Sequence, residues 1–175
     1  MNLAFDEAKA TQTAAAFLRL AGGQLHPLAL LKLLYQADRE ALRRWGLPIT
    51  TDRYASMQFG PVTSRIHGFI KASSGPGARP TFWSRHIGQR GPDTVSLTAD
   101  PGDSEMSRAE NRLIAEIFAG EATHCVYPEW KDPGVATSTP IEVSEILAAL
   151  DVSEEEACHT YSAITAQRAA RGLAI

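Results

Sequence analysis

The amino-acid sequence predicts a mainly α fold of the α+β class: a compact helical domain around a central apolar helix, with a small β-hairpin or sheet. Apolar residues recur at helical spacing in several segments that begin at a capping residue or Pro and end at Gly. The segment 27–45 is apolar over much of its circumference, which is typical of a central helix. Two short stretches, TFWSRHI and TVSLTA, have the composition of β-strands. Because 175 residues suit one domain better than two, and the sequence shows no internal repeat or second domain boundary, we expect one domain over 1–175.

The first two helices have the clearest boundaries. Residues 6–21 carry apolar side chains on one face, and Gly22-Gly23 indicates where this helix ends. The central helix is expected to begin at Pro27, because the first helical position needs no N–H donor. Gly46 predicts its end. Its main apolar stripe consists of Leu28, Leu31, Tyr35, Leu42 and Trp45.

Asp38 lies on this apolar stripe, where a carboxylate without a partner would be unfavourable. Arg53 and Tyr54 are expected to reach back toward it from the next segment. We favour a structural role for Asp38, either in an ion pair or at a helix edge that stays hydrated, over a functional carboxylate. The cations nearby in sequence that could pair with it are Arg39, Arg53, Arg65 and His67.

The segments after the central helix alternate between turn signals and short elements. Gly60-Pro61 is interpreted as a joint, with Pro61 as the first residue of a short helix. A Gly/Pro/Ser-rich loop follows at 72–80, and then TFWSRHI and TVSLTA predict a hairpin or small sheet around GQRGPD.

Two capping boxes predict helices in the second half of the chain. Ser107 with Glu110 begins one helix, and Ser153 with Glu156 begins another, since each pair satisfies two backbone donors at a helix start. Between them, TPIEVSEILAAL fits either a strand-like start or a helix.

Composition places the chain among cytoplasmic globular proteins. No apolar run approaches the ~20 residues that span a bilayer, so no membrane partner is expected. The N-terminal segment carries Asp6 and Glu7 instead of the basic start of a secretory signal. Two distant cysteines, Cys125 and Cys158, provide no disulfide framework, which favours a reducing compartment.

Charge is distributed unevenly along the chain, although the net charge is only −3. Residues 26–90 contain ten Lys and Arg against three Asp and Glu, whereas residues 91–175 contain five against fifteen. Such polarity favours either packing of one half on the other or two faces of opposite sign.

Several chemical functions are disfavoured by residue spacing. His124-Cys125 and Cys158-His159 are the right ligand types for zinc, but adjacent residues point apart, whereas structural zinc ligands usually lie two to four residues apart. The chain has no nucleophile elbow and no phosphate-binding loop. We therefore expect no enzyme activity, metal or cofactor, and rank a hydrolase built on Asp38 and His67 last.

A nucleic-acid-binding accessory protein is the main alternative function. The basic segment 26–90 mixes charge with stacking surface, as single-strand binders do. The acidic pI of about 5.9 and the lack of a helix-turn-helix or zinc-finger pattern disfavour this alternative. The residues that suggested it are Arg39, Arg43, Arg44, Arg79, Arg85 and Arg90, with Phe82 and Trp83.

The stretch LLKLLYQADREALRRWGLPITTDRYASMQFGPVTSRIHGFIK resembles the core of the Panacea domain, also called the SocA-like antitoxin domain, which includes GepA-like phage-associated proteins. The motif TH…PEWKDP and the closing I…EILAAL…SEEE also fit, so the resemblance covers most of residues 10–160. It implies a mainly helical, non-enzymatic antitoxin of a bacterial or prophage toxin–antitoxin system. Such a protein would neutralise a toxin encoded by a neighbouring gene through direct contact, or deliver that toxin to a protease.

Two sets of residues follow from this resemblance and from surface chemistry. We expect most of the residues that match the family pattern to hold the fold: Asp38, Arg39, Tyr54, Gly60, Pro61, Thr123, His124 and Trp130. Because Arg and Trp often anchor binding hot spots, we predict an exposed patch that faces the toxin. Its residues are Arg43, Arg44, Phe82, Trp83 and Arg85.

Overall fold

The computed structural model of the chain describes residues 4–72, 80–120, 127–153, 155–160 and 162. Within these ranges, helices combine with two three-stranded antiparallel sheets, which confirms the predicted mainly α, α+β fold. The helices are α1 Glu7–Leu20, α2 Pro27–Trp45, α3 Ser64–Ala72, α4 Phe82–His86, α5 Arg108–Ala119 and α6 Val143–Ala149, and residues 155–160 are helical as well. The strands are β1 Gln24–Leu25, β2 Tyr54–Met57, β3 Gly60–Thr63, β4 Ile87–Gln89, β5 Val95–Leu97 and β6 Thr139–Ile141.

Helix α2 is central, as its sequence predicts. It packs against α1, α3, α5, α6 and β3, and its apolar stripe is largely buried. Pro27 is its first residue, and Nδ1 of His26 accepts a hydrogen bond from the Leu28 N–H at 3.2 Å. Gly46 ends the helix with a left-handed φ of 68°, and a Cβ added there would lie 2.3 Å from the Ala157 carbonyl oxygen. The end of α2 therefore requires Gly, both for the left-handed backbone angle and for the close approach to the backbone of Ala157.

The predicted hairpin is present, but its first strand contains only the last residue of TFWSRHI, Ile87, and continues into Gly88 and Gln89 of the predicted turn. Strands β4 and β5 pair antiparallel and β1 adds to β5, giving the order β1-β5-β4. Residues 82–86 of TFWSRHI form helix α4, so the β prediction for them is wrong. Thr81 and Ser84 form a capping box that starts this helical turn, and the Trp83 side chain fills the core from it. The capping box and the burial of Trp83 therefore stabilise a helical turn at 82–86 despite the β-type composition of this stretch.

The Gly60-Pro61 joint is a strand, not a helix start. Strand β2 pairs with both β3 and β6, so the order of the second sheet is β3-β2-β6. Pro61 lies within β3, and α3 begins three residues later at Ser64. The carboxylate of Asp52 accepts the backbone N–H groups of Arg65 and Ile66 and so holds the start of α3. The prediction of Pro61 as a first helical residue is wrong, because Asp52 supplies the cap further along.

Other sequence signals are confirmed. Ser107 and Glu110 form the predicted capping box of α5, and Ser153 and Glu156 exchange the expected hydrogen bonds. TPIEVSEILAAL contains both alternatives in order, strand β6 and then helix α6. The buried apolar side chains form a large cluster around α1 and α2 and a smaller one against β6 and α6. In the described ranges, no helix is long and apolar enough to cross a membrane.

Candidate partner-binding surface

Asp38 is the centre of a buried polar network on the inner face of α2. Its exposed fraction is 0%. Oδ1 accepts the backbone N–H groups of Ile49 at 2.9 Å and Thr50 at 2.8 Å. Oδ2 accepts the hydroxyl of Tyr54 at 3.0 Å and the hydroxyl of Thr50. The carboxylate therefore fixes the turn between α2 and β2 from inside.

The partners of Asp38 differ in part from those predicted. Tyr54 reaches back to the carboxylate as expected, but no hydrogen bond or salt bridge in the described ranges joins Asp38 to a cation. Arg53 is exposed, so the expectation that it reaches Asp38 is wrong. Burial raises the pKa of Asp38 to about 6, while the hydrogen bonds from Thr50 and Tyr54 act in the opposite direction. Burial likewise raises the pKa of Tyr54 well above its ordinary value.

A second buried carboxylate, Glu129, joins the segment 127–130 to α2. It accepts the Tyr35 hydroxyl at 2.6 Å and the Arg39 Nε–H at 2.7 Å. The Arg39 guanidinium also lies 5.3 Å from the ring centroid of Tyr127. Arg39 is therefore engaged in an internal ion pair rather than in a free basic surface.

Trp130 and Lys131 join residues 130–131 to strand β2 of the β2–β3 hairpin by hydrogen bonds. The Trp130 indole N–H donates to the Met57 carbonyl oxygen at 2.8 Å. The Lys131 backbone N–H donates to the Ser56 hydroxyl at 3.3 Å. These contacts place residues 130–137 beside the hairpin turn. Thr123 and His124 lie outside the described residues, as does Cys125 of the zinc set.

The predicted basic patch at the end of α2 is neutralised. Glu40 accepts hydrogen bonds from Arg43 and from Arg44, and Arg44 also donates to Glu116 at 2.9 Å. Two guanidinium groups thus face two carboxylates. The Glu40 pKa is lowered, first by its hydrogen bond from Arg43. Arg43 and Arg44 are exposed but present little net charge to an anionic partner.

The two aromatic residues of the predicted patch, Phe82 and Trp83, differ in their burial. Trp83 has an exposed fraction of 1%, and its ring stacks on Phe69 in the core. Its expected place on an exposed patch is wrong, because the capped turn of α4 directs this side chain inward. Phe82 is half-buried and Arg85 is exposed on the same helix.

A groove of about 590 Å³ opens on another side of the molecule, between the start of α2, the end of α3 and the two hairpin turns. Its floor is apolar and comes from four elements, α2, β2, β3 and α3. Phe59, at the β2–β3 turn, stands at its rim with 64% of its surface exposed. The floor consists of Leu28, Leu31, Met57, Val62 and Ile70.

Polar groups surround this apolar floor. His26 lies 3.8 Å from Asp93 at one side. Lys71 lines another part and is exposed, with no acid among the described residues within salt-bridge distance. Burial, followed by the charge of Lys71, lowers the pKa of His67, so its imidazole is neutral near pH 7. We call this surface, including its rim, the Phe59 groove.

The Phe59 groove was not predicted, although the sequence held one signal for it. Phe59 directly precedes Gly60-Pro61, so a large aromatic side chain stands next to a turn. The structure adds the hairpin pairing of Met57 with Gly60, whose φ is 120°. Phe59 lies in the turn between these two residues and projects outward. The floor residues come from separate parts of the chain, which no local pattern connects.

Comparisons with known proteins identify one family. The model of the family described as "Antitoxin SocA-like, Panacea domain" matches residues 30–122, slightly more than half of the chain. The matched range contains most of α2, the β2–β3 hairpin, α3 and all of the groove floor except Leu28. A search of curated proteins and a search of solved structures found no match.

Proposed function

The chain belongs to the Panacea-domain family of SocA-like antitoxins, and we propose that it neutralises a cognate toxin by direct protein–protein binding. The toxin is expected to be the product of a neighbouring gene. In this proposal the protein acts by occupying a surface of the toxin, and it performs no chemical step on it.

The Phe59 groove is the observation that carries this proposal. A large aromatic side chain exposed beside an apolar floor is unfavourable in water and is typical of a protein-binding site. The surrounding walls belong to the core elements α2, β3 and α3, so the surface is formed before a partner arrives. A preformed site loses less conformational entropy on binding.

The buried carboxylates support a binding role over an enzymatic one. Asp38 has no exposed surface, and both of its oxygens already accept hydrogen bonds that hold the fold. His67 lines the Phe59 groove on α3, whereas Asp38 faces the interior. A hydrolase would need both groups to reach one substrate.

The ion pairs also favour a protein partner over nucleic acid. Phosphate binding requires Lys and Arg side chains that are free to replace counterions. Arg39, Arg43 and Arg44 instead pair with acids of the same chain.

Co-expression tests the proposal directly. The product of the adjacent open reading frame is induced in a bacterial host with and without this chain, and growth, toxin abundance and co-purification are followed. We expect restored growth, unchanged toxin abundance and a stable complex. A fall in toxin abundance without a stable complex would instead indicate delivery to a protease. Absence of both rescue and complex would refute the antitoxin proposal.

A further inference from the structure

The Phe59 groove also constrains the shape of its partner. A partner that added a β-strand would need an accessible sheet edge with unpaired backbone groups. Edge strand β3 is buried throughout, and edge strand β6 carries the exposed Pro140, which has no N–H to donate. The remaining edges, β1 and β4, are only two and three residues long. Recognition by side chains in the groove is therefore favoured over strand addition.

The charges at the rim constrain the chemistry of the partner. Lys71 lies at the end of α3 and lines the groove. Lys32 belongs to α2 and reaches the β2–β3 hairpin, with its Cε 3.6 Å from the position that a Cβ on Gly60 would take. Neither cation has an acid within salt-bridge distance among the described residues. Asp93, the acid of this rim, stands beside His26 at another side. The part of the rim that Lys71 lines is therefore complementary to an acid.

We propose that the Phe59 groove binds an amphipathic helix of the toxin, whose apolar face covers the groove floor and whose flank carries an acidic residue opposite Lys71. This inference rests on the proposed function and adds the nature of the bound segment. A helix presents apolar residues at i, i+3, i+4 and i+7 on one face, so a single face can cover an apolar floor to which α2, β2, β3 and α3 all contribute. Phe59 is the expected hot spot because it combines large apolar area with exposure.

Matched variants separate this groove from the α4 surface. Phe59→Ala and Lys71→Glu alter the groove, while Phe82→Ala and Arg85→Glu make comparable chemical changes on α4. The affinity of each full-length variant for the purified product of the adjacent open reading frame is measured by calorimetry. Thermal unfolding checks that each variant is folded, which is expected since Phe59 and Lys71 are exposed.

We expect Phe59→Ala to weaken binding by about 30-fold or more, the effect of a typical hot spot. Lys71→Glu should weaken it by about 3–10-fold and reduce the salt dependence of association. The two α4 variants should change affinity by less than about twofold. Replacing one acidic residue of a toxin helix by Lys should restore binding to Lys71→Glu and weaken binding to the wild type.

The outcomes distinguish this inference from the proposed function. A toxin that binds the wild type and all groove variants equally would overturn the groove and leave the antitoxin function intact. A loss confined to the α4 variants would place the interface there. If the wild type forms a dimer that Phe59→Ala dissociates, the groove joins two copies of this chain and the inference fails. Absence of any complex with the wild type would overturn both proposals.

Discussion

Replacing Asp38 by Ala or by Asn separates hydrogen bonding from charge in the buried network. One carboxylate oxygen accepts the N–H groups of Ile49 and Thr50, and the other accepts the hydroxyls of Thr50 and Tyr54. Ala removes every acceptor. Asn keeps one carbonyl oxygen for the two N–H groups, and its NH₂ faces hydroxyls that can rotate to accept.

The expected loss for Asp38→Ala follows from the two backbone donors. A buried donor left without an acceptor destabilises a protein by about 1–3 kcal/mol. Two such donors give about 4 kcal/mol, a large part of the roughly 5–15 kcal/mol that is typical of domain stability. Asp38→Asn keeps both backbone bonds, so at about pH 4, where Asp38 of the folded wild type is protonated, its free energy of unfolding should lie within about 1 kcal/mol of the wild type.

The charge of Asp38 adds a dependence on pH with a defined sign. Its pKa in the folded protein is about 6, above the ordinary value of 3.8. At pH values between these two pKa values, Asp38 is therefore protonated in the folded state and ionised in the unfolded state. This contribution to stability is full below pH 3.8 and is lost as the pH rises through 6. The wild type should lose about 2–3 kcal/mol relative to Asp38→Asn between about pH 4 and pH 7.

Urea unfolding followed by circular dichroism at about pH 4, 5.5 and 7 measures these differences. Taking the difference between wild type and Asp38→Asn cancels the titration of the other groups. Asp103→Asn, at an exposed position, controls for the loss of one negative charge. An Asp38→Ala variant that stays within about 1 kcal/mol of the wild type would refute the role of the backbone donors. A difference between wild type and Asp38→Asn that does not change with pH would refute the effect of charge.

Three further stability predictions use the same urea assay. Glu129→Ala should lower the free energy of unfolding by about 3–5 kcal/mol, since it leaves a partly buried guanidinium without its acid; a loss below about 1 kcal/mol would contradict this. Gly46→Ala should lower it far more than Gly22→Ala, because both have positive φ but only Gly46 closely approaches another backbone segment; equal losses would show that only φ matters. Trp83→Ala should lower it by about 3–5 kcal/mol by opening a core cavity, while Arg85→Ala changes it by less than about 0.5 kcal/mol; a small loss for Trp83→Ala would place that ring outside the core.

Helix ends could be predicted from the sequence because their causes are local. Pro27 and Gly46 bound α2, and the Ser107 box begins α5, as expected. Each signal depends on backbone groups within about four residues of the capping side chain. The start of α3 could not be predicted in the same way, because its cap, Asp52, lies twelve residues before Ser64 in the chain and reaches it only through the β2–β3 hairpin.

Candidate binding residues could be predicted less well, because exposure and pairing are set by distant segments. Trp83 has the residue type of a hot spot, but its neighbours in the fold enclose it. Arg44 looks like a free cation in the sequence, yet its second acid, Glu116, is 72 residues away. Phe59 gives the opposite case, since an apolar residue of a type usually found inside is exposed at a turn. Residue type alone therefore cannot separate an anchor from a core residue.

The residues that match the family pattern and the residues at the groove rim have different physical roles. Asp38 holds the turn before β2, and Trp130 ties the following segment to the hairpin. These buried contacts fix the elements that form the groove walls, whereas Phe59 and Lys71 project from those walls and support no described core contact. Because the buried contacts stabilise the fold, residues at the groove rim can be substituted without loss of the fold. Rim substitutions should therefore change the affinity for a partner without changing the free energy of unfolding. Asp38→Ala should change both, because it removes the hydrogen bonds that position the elements of the groove walls.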